Sequence, residues 1–214
     1  MERYGILILA LSFVLNVSMK GKNKRTKTPH STGADKIGRV RSCPNFEKNY
    51  LTDFNTALKE FEDIHQCRIK VKTKKLNTTM AARPTVTSLF RKIENRTYVI
   101  CVNNDVDFDG VLLQDVPEEA RIGLFAHELM HIRDYQSKNF FGLIKRGWQY
   151  LSKSGKRRLE YYVDQLTIDA GFGQNLYEWA FYVWHQSDAS EEYKAFKKEI
   201  YMSPGMILQC IDQE

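Results

Sequence analysis

Ala126-His127-Glu128-Leu129-Met130-His131 is the stretch on which the rest of the chain is organised. It is an H-E-x-x-H run, and its surroundings predict one long amphipathic helix. Ile122, Phe125, Leu129 and Ile132 recur at helical spacing, Asp115 is placed to cap the start and Pro117 suits the first turn. Glu118 and Glu119 favour the positive end of the helix dipole. At about 3.6 residues per turn, side chains four apart leave one face of a helix one turn from each other. His127 and His131 can therefore grip one metal ion. Glu128 is a step round the same helix, within reach of a water on that ion but turned away from ligating it.

Histidines at this spacing also serve as packing residues in buried helices, so the metal reading needs a third ligand. Glu160 and Asp164 supply one. They stand four apart on a helix predicted over residues 157–170 and share a face. Glu160 can complete a three-ligand site with an open fourth position, and Asp164 can accept the free N–H of a ligand histidine and fix its tautomer. Alone, the pair would read as a solvated helix face.

The combination of His127, Glu128 and His131 with Glu160 and Asp164 resembles the gluzincin metallopeptidases, in which H-E-x-x-H is followed on a later helix by E-x-x-x-D or E-x-x-A-D. Val163 stands where that group often has Ala, and the resemblance covers mainly residues 96–173. It implies Zn2+ as cofactor, a peptide or protein as substrate, and Glu128 as the catalytic base. The expected fold is a small α+β, zincin-like domain with a short mixed sheet beside the metal helix and a mainly helical C-terminal half. A metzincin is excluded, because its extended motif needs Gly at 134 and His at 137, where this chain has Asp134 and Ser137. A non-catalytic zincin-fold binding or scaffold protein at a membrane is the alternative. It is disfavoured because Glu128 and all three ligands are kept together. A membrane-surface binder driven by the basic linker alone would need no metal.

Length and an apolar content of 43% over 214 residues suit one globular domain. The formal charge of +6 is unevenly spread: residues 20–42 carry +7 and residues 43–214 sum to −1. The folded part is near neutral, so a nucleic-acid partner finds no support. Residues 4–19, YGILILALSFVLNVSM, form an apolar run that reads as a signal peptide or a membrane anchor, which makes the protein membrane-associated or exported. Residues 20–42 read as a basic disordered linker, and the domain is expected to span 43–214.

Within the domain, Phe46, Tyr50, Phe54, Leu58 and Phe61 predict a helix over 45–65 with an aromatic core face. Residues 67–72 and 97–103 read as strands. The resemblance implies that a sheet edge beside the metal helix holds the substrate backbone. The second strand is the candidate, and a strand paired on both sides is the alternative. Asp105, Asp107, Asp109 and Gly110 match the opening of a calcium loop, but Val116 occupies the required Glu position, so a solvated turn is the reading. Residues 176–185 predict a third covering helix, 191–202 another, and Ser203-Pro204 starts a last one. His185, Tyr161 and Tyr162 are candidates for stabilising a developing oxyanion, with ordinary packing as the competing role. Cys43, Cys67, Cys101 and Cys210 form no C-x-x-C pair, so a second, structural zinc is not expected. Two disulfides and buried free thiols both remain open.

Overall fold

In a computed structural model, residues 48–213 are described. The apolar run at 4–19, the basic segment at 20–42, Cys43 and Phe46 lie outside them. Three strands make the sheet: β1 (Arg68–Lys74), β2 (Met80–Pro84) and β3 (Thr97–Asn103). Their order is β1-β3-β2, with β1 parallel and β2 antiparallel to β3. In β1, Ile69 and Val71 are buried while Arg68, Lys70 and Lys72 point to solvent, the period-two pattern expected of a half-buried strand. Every residue of β3 is buried, because it is central and carries Tyr98, Ile100 and Val102 into the core. The edge expected at Thr97–Asn103 is therefore at β2 instead.

Helix α1 (Lys48–Lys59) presents Phe54 and Leu58 to the core and ends earlier than predicted, a 3₁₀ turn at Glu62–Ile64 following it. Helix α2 (Glu118–Gln136) carries the H-E-x-x-H run. It packs against α1, β2 and helices that follow, and it is buried on nearly every side, His127, Glu128, His131 and Asp134 included, rather than on one apolar face. Ile122, Leu124, Phe125, Ala126, Leu129, Met130 and Ile132 are all buried, the mark of a helix inside a domain. Asp115 does not cap it. That residue closes a 3₁₀ turn at Leu113–Asp115, and Pro117 takes the N-cap position with extended ψ.

Two cations, Arg96 buried and Arg121 partly so, fix α2 in place. Arg121 Nε donates to Asp53 Oδ2 at 2.6 Å, joining α2 to α1. Arg96, just before β3, donates from Nη1 to the Tyr135 and Lys138 carbonyls at 3.1 and 2.7 Å, which satisfies the C-terminal carbonyls and favours the negative dipole end.

The C-terminal half is helical as expected. It comprises α3 (Phe140–Gln149), α4 (Lys153–Thr167), α5 (Gly173–Phe181), α6 (Glu191–Ile200) and α7 (Pro204–Ile211). Four of the five starts, all but that of α5, are capped by the side chains of Asn139, Ser152, Ser190 and Ser203, each accepting a first-turn N–H. Between α4 and α5 the chain winds through a π segment, Ile168–Phe172, where Gly171 has φ 85. This left-handed residue turns the chain where α5 folds back across α2. There the two helices nearly touch: a Cβ on Gly123 would sit 2.2 Å from the Asn175 carbonyl oxygen. No described helix is long and apolar enough to cross a membrane.

Cys67, Cys101 and Cys210 are free thiols. Cys67 precedes the first pair of the β1–β3 ladder, Arg68 with Thr97, whereas Cys101 pairs with Lys72 farther along, so the two do not face each other. Burial, with Asp63 nearby, pushes the Cys67 thiol up to about 11, which keeps it protonated and inert. The Asp105–Gly110 segment is a turn, with Asp105 paired to Lys75 at 2.6 Å and the Asp109 carbonyl accepting from Ser190 N–H.

Candidate metal centre

Helices α2 and α4 meet so that His127, His131 and Glu160 converge. Glu160 Oε2 lies 3.3 Å from His127 Nε2 and 3.2 Å from His131 Nε2. One ligand atom from each of the three lies within 4.8 Å of the others, and among the described residues this is the group of His, Cys, Asp and Glu that could hold an ion. The imidazole planes stand nearly perpendicular, at 81° with centroids 4.8 Å apart, so both Nε2 atoms can turn to one point without the rings colliding. Val163, fully buried, does not hold the helices apart.

Asp164 completes the His127 side. Its Oδ1 is 2.9 Å from His127 Nδ1, and its Oδ2 accepts the Met202 backbone N–H at 3.0 Å. The carboxylate thus fixes Nδ1 as a donor and turns Nε2 toward Glu160, where it would ligate an ion. His131 Nδ1 has no protein partner. Its ring is instead stacked on Tyr135, 6.0 Å between centroids.

The electrostatics follow from three buried carboxyl groups beside two imidazoles. Burial opposes a charge on His127, but hydrogen bonds to Asp164 and Glu160, and their negative charge, outweigh it and push the imidazole up to about 10. Burial also opposes ionising Glu160, and the two histidines overcome it and hold that carboxyl well below the usual range. Glu128 goes the other way. Its burial dominates and raises the pKa, only partly offset by His131, His127 and the Ala82 N–H. The donor set, two imidazole nitrogens and one carboxylate oxygen, with a second carboxylate behind a histidine, suits a borderline dication such as Zn2+ better than the all-oxygen cages of Ca2+ or Mg2+.

Glu128 is next to this group and is not one of its ligands. It accepts a hydrogen bond from Ala82 N–H, and its Oε2, buried, has no protein partner. Ala82 is on the edge strand β2. Flanking bonds from Thr85 N–H to Thr97 O and from Asn103 N–H to Thr79 O turn the odd-numbered residues of β2 toward β3. The even-numbered ones, Ala82 among them, point their backbone groups to the free edge beside α2.

The three residues expected to stabilise an oxyanion are elsewhere. His185 is exposed and rests on Phe181, with ring centroids 4.9 Å apart. Tyr161 accepts from Arg157 and donates to Met206 Sδ, and Tyr162 is 43% exposed under the Arg146 guanidinium. Tyr201 is the aromatic that sequence reasoning missed. It ends α6 with its ring 5.9 Å from His127, and burial, with Glu160 and Glu128 close by, raises its phenol well above the ordinary value. The one signal for it was its place at the helix stop before Ser203-Pro204. A cavity lined by His127, Glu128, Asp164, Trp179, Lys197 and Tyr201 opens at the site, with room of about 30 Å³.

No family model matches this chain, and neither the curated proteins nor the solved structures include a match to it.

Proposed function

We propose that the chain is a zinc-dependent peptidase of the gluzincin type, built on a zincin-like α+β domain. The observation that supports this best is the juxtaposition of three buried ligand atoms within 4.8 Å with Glu128, whose Oε2 has no protein partner. His127, His131 and Glu160 would hold the ion, and Asp164 would orient His127. When bound, zinc supplies a water of lowered pKa and a Lewis acid for the scissile carbonyl.

The chain's own groups do the rest. Glu128 takes a proton at its free oxygen and returns it to the leaving amine, and the upward pull of burial on its pKa helps it hold that proton in between. Tyr201, which lines the cavity with its ring 5.9 Å from His127, is the phenol assigned here to donate to the developing oxyanion. The outward C=O groups of Met80, Ala82 and Pro84, with the Met80 N–H, offer pairing to an extended peptide backbone, the Ala82 N–H being taken by Glu128. Residues 4–19 would keep the enzyme at a membrane or direct its export. Cell fractionation with N-terminal sequencing separates the two, since a soluble product starting near residue 20 excludes a tether.

The test is hydrolysis of a mixed peptide library by the zinc-loaded chain, read by mass spectrometry, beside Glu128→Gln. General acid–base catalysis is worth roughly 10²- to 10⁴-fold, so the variant should keep its zinc and lose turnover by that factor. Unchanged turnover in Glu128→Gln would overturn the mechanism. Zinc uptake without cleavage of any peptide would favour a non-catalytic binding role.

A further inference from the structure

The groups assigned so far leave one charged residue of the cavity without a task. Lys197, on α6, is 5% exposed. Its Nζ sits over the rings of Tyr201, Tyr193 and Trp179 at 4.3, 5.4 and 5.8 Å from their centroids. Its hydrogen-bond partner is Thr78 Oγ1, at a long 3.5 Å. Among the described residues no carboxylate lies within ion-pair distance of it. An ammonium carries three donors, and lysine is almost never buried without a paired anion. The aromatic box offsets part of the burial cost through cation–π attraction and leaves hydrogen-bond capacity unused.

That capacity faces the reaction site. Lys197 lines the same cavity as His127 and Glu128, and one ring, that of Tyr201, touches both the ammonium and His127. The room of about 30 Å³ compares with the 10–15 Å³ or so that one water needs, so it suits the two oxygens of a carboxylate and not a bulky side chain.

We propose that Lys197 is the anchor for a carboxylate of the substrate, either the C-terminal carboxylate of a peptide or an acidic side chain. This rests on the peptidase reading and narrows it to anionic substrates. A peptide advances about 3.3–3.6 Å per extended residue, so a carboxylate one or two residues beyond the scissile bond is the natural occupant. A charge-assisted hydrogen bond in a dry box gives the discrimination, because the matching amide would leave the ammonium unpaired.

Binding is measured on the full chain, zinc-loaded and carrying Glu128→Gln so that peptides persist. Trp179 and Trp184 line the cavity, so tryptophan fluorescence reports occupancy. Three peptides of one apolar sequence serve as probes: one with a free C-terminal carboxylate, one amidated, and one amidated with a single Asp. One carboxylate form is expected to bind at least about tenfold tighter than the neutral amide, and which one it is identifies the source of the carboxylate. The preference should vanish when Lys197→Met or Lys197→Gln is added and survive in part in Lys197→Arg. Equal binding of all three probes, no binding of any, or a preference that persists in Lys197→Met and Lys197→Gln would overturn the proposal. Cleavage of peptides by the unmutated chain without carboxylate preference sinks this inference alone. A Lys197-dependent preference without cleavage sinks the peptidase reading alone.

Discussion

Replacing Asp164 by Asn tests how the second carboxylate supports the site. The side chain is 2% exposed and accepts two hydrogen bonds, Oδ1 from His127 Nδ1 and Oδ2 from the Met202 N–H. Both partners are donors when His127 ligates a metal through Nε2. A carboxylate satisfies both, but an amide has one acceptor and one donor. Whichever way the amide is turned, one N–H faces another N–H. A hydrogen bond to a charged group is worth about 1.5–3 kcal/mol, and a buried donor left unsatisfied costs about 1–3 kcal/mol. Asp164→Asn should therefore lower stability by about 2.5–6 kcal/mol in urea unfolding. It should also weaken zinc about 10- to 100-fold, as changes behind a ligand histidine do. Chelator competition measures the second effect. A variant with native stability and unaltered zinc affinity would refute the assignment of Asp164 to His127.

Asp134, at the end of α2, is held by Arg146 at 2.7 and 2.8 Å and by Lys138 at 3.1 Å. Burial pulls its pKa up, but these cations prevail and lower it, so its contribution is complete above the unfolded value near 3.9 and fades as pH falls through the folded one. Asp134→Asn should cost about 1.5–3 kcal/mol at pH 7, with the gap to the unmutated protein closing below about pH 4 in pH-dependent unfolding. Gly123→Ala would put a Cβ 2.2 Å from the Asn175 carbonyl, and backbone cannot yield as a side chain can. A loss of about 1–3 kcal/mol or more in thermal unfolding is expected, and native stability would mean that α2 and α5 are farther apart. Tyr201→Phe should keep zinc and fold and lower kcat about 10²- to 10³-fold, the usual loss for one oxyanion donor. An unchanged kcat would make the phenol a packing group.

What was legible came from side chains whose spacing is dictated by one helix. His127 and His131, and Glu160 and Asp164, each stand four apart, so their common faces follow from helical geometry alone. Thr97–Asn103 was readable end to end because its β-branched and aromatic run has both faces buried. Strand β2 was missed, since Met80-Ala81-Ala82-Arg83-Pro84 has no β-branched residue and ends in proline, and its state is imposed by pairing with β3. Helix α3 was missed as well. Its two glycines depress helix propensity, while the Asn139 cap and the Arg146 tie to Asp134 hold it. His185, Tyr161 and Tyr162 were nominated by nearness in sequence to the motif or its covering helix, which does not fix the direction a side chain takes. Tyr201 and Lys197 reach the site from helix α6, whose docking against α4 is a tertiary event that no local pattern encodes.

Zinc stoichiometry and affinity, measured together in the unmutated chain and in Glu160→Ala and Glu128→Gln, test the central claim most directly. The ligand set predicts one zinc per chain in the unmutated protein, a large loss of affinity in Glu160→Ala, and retained zinc in Glu128→Gln. Undiminished affinity in Glu160→Ala, or no zinc bound by the unmutated chain, would contradict it.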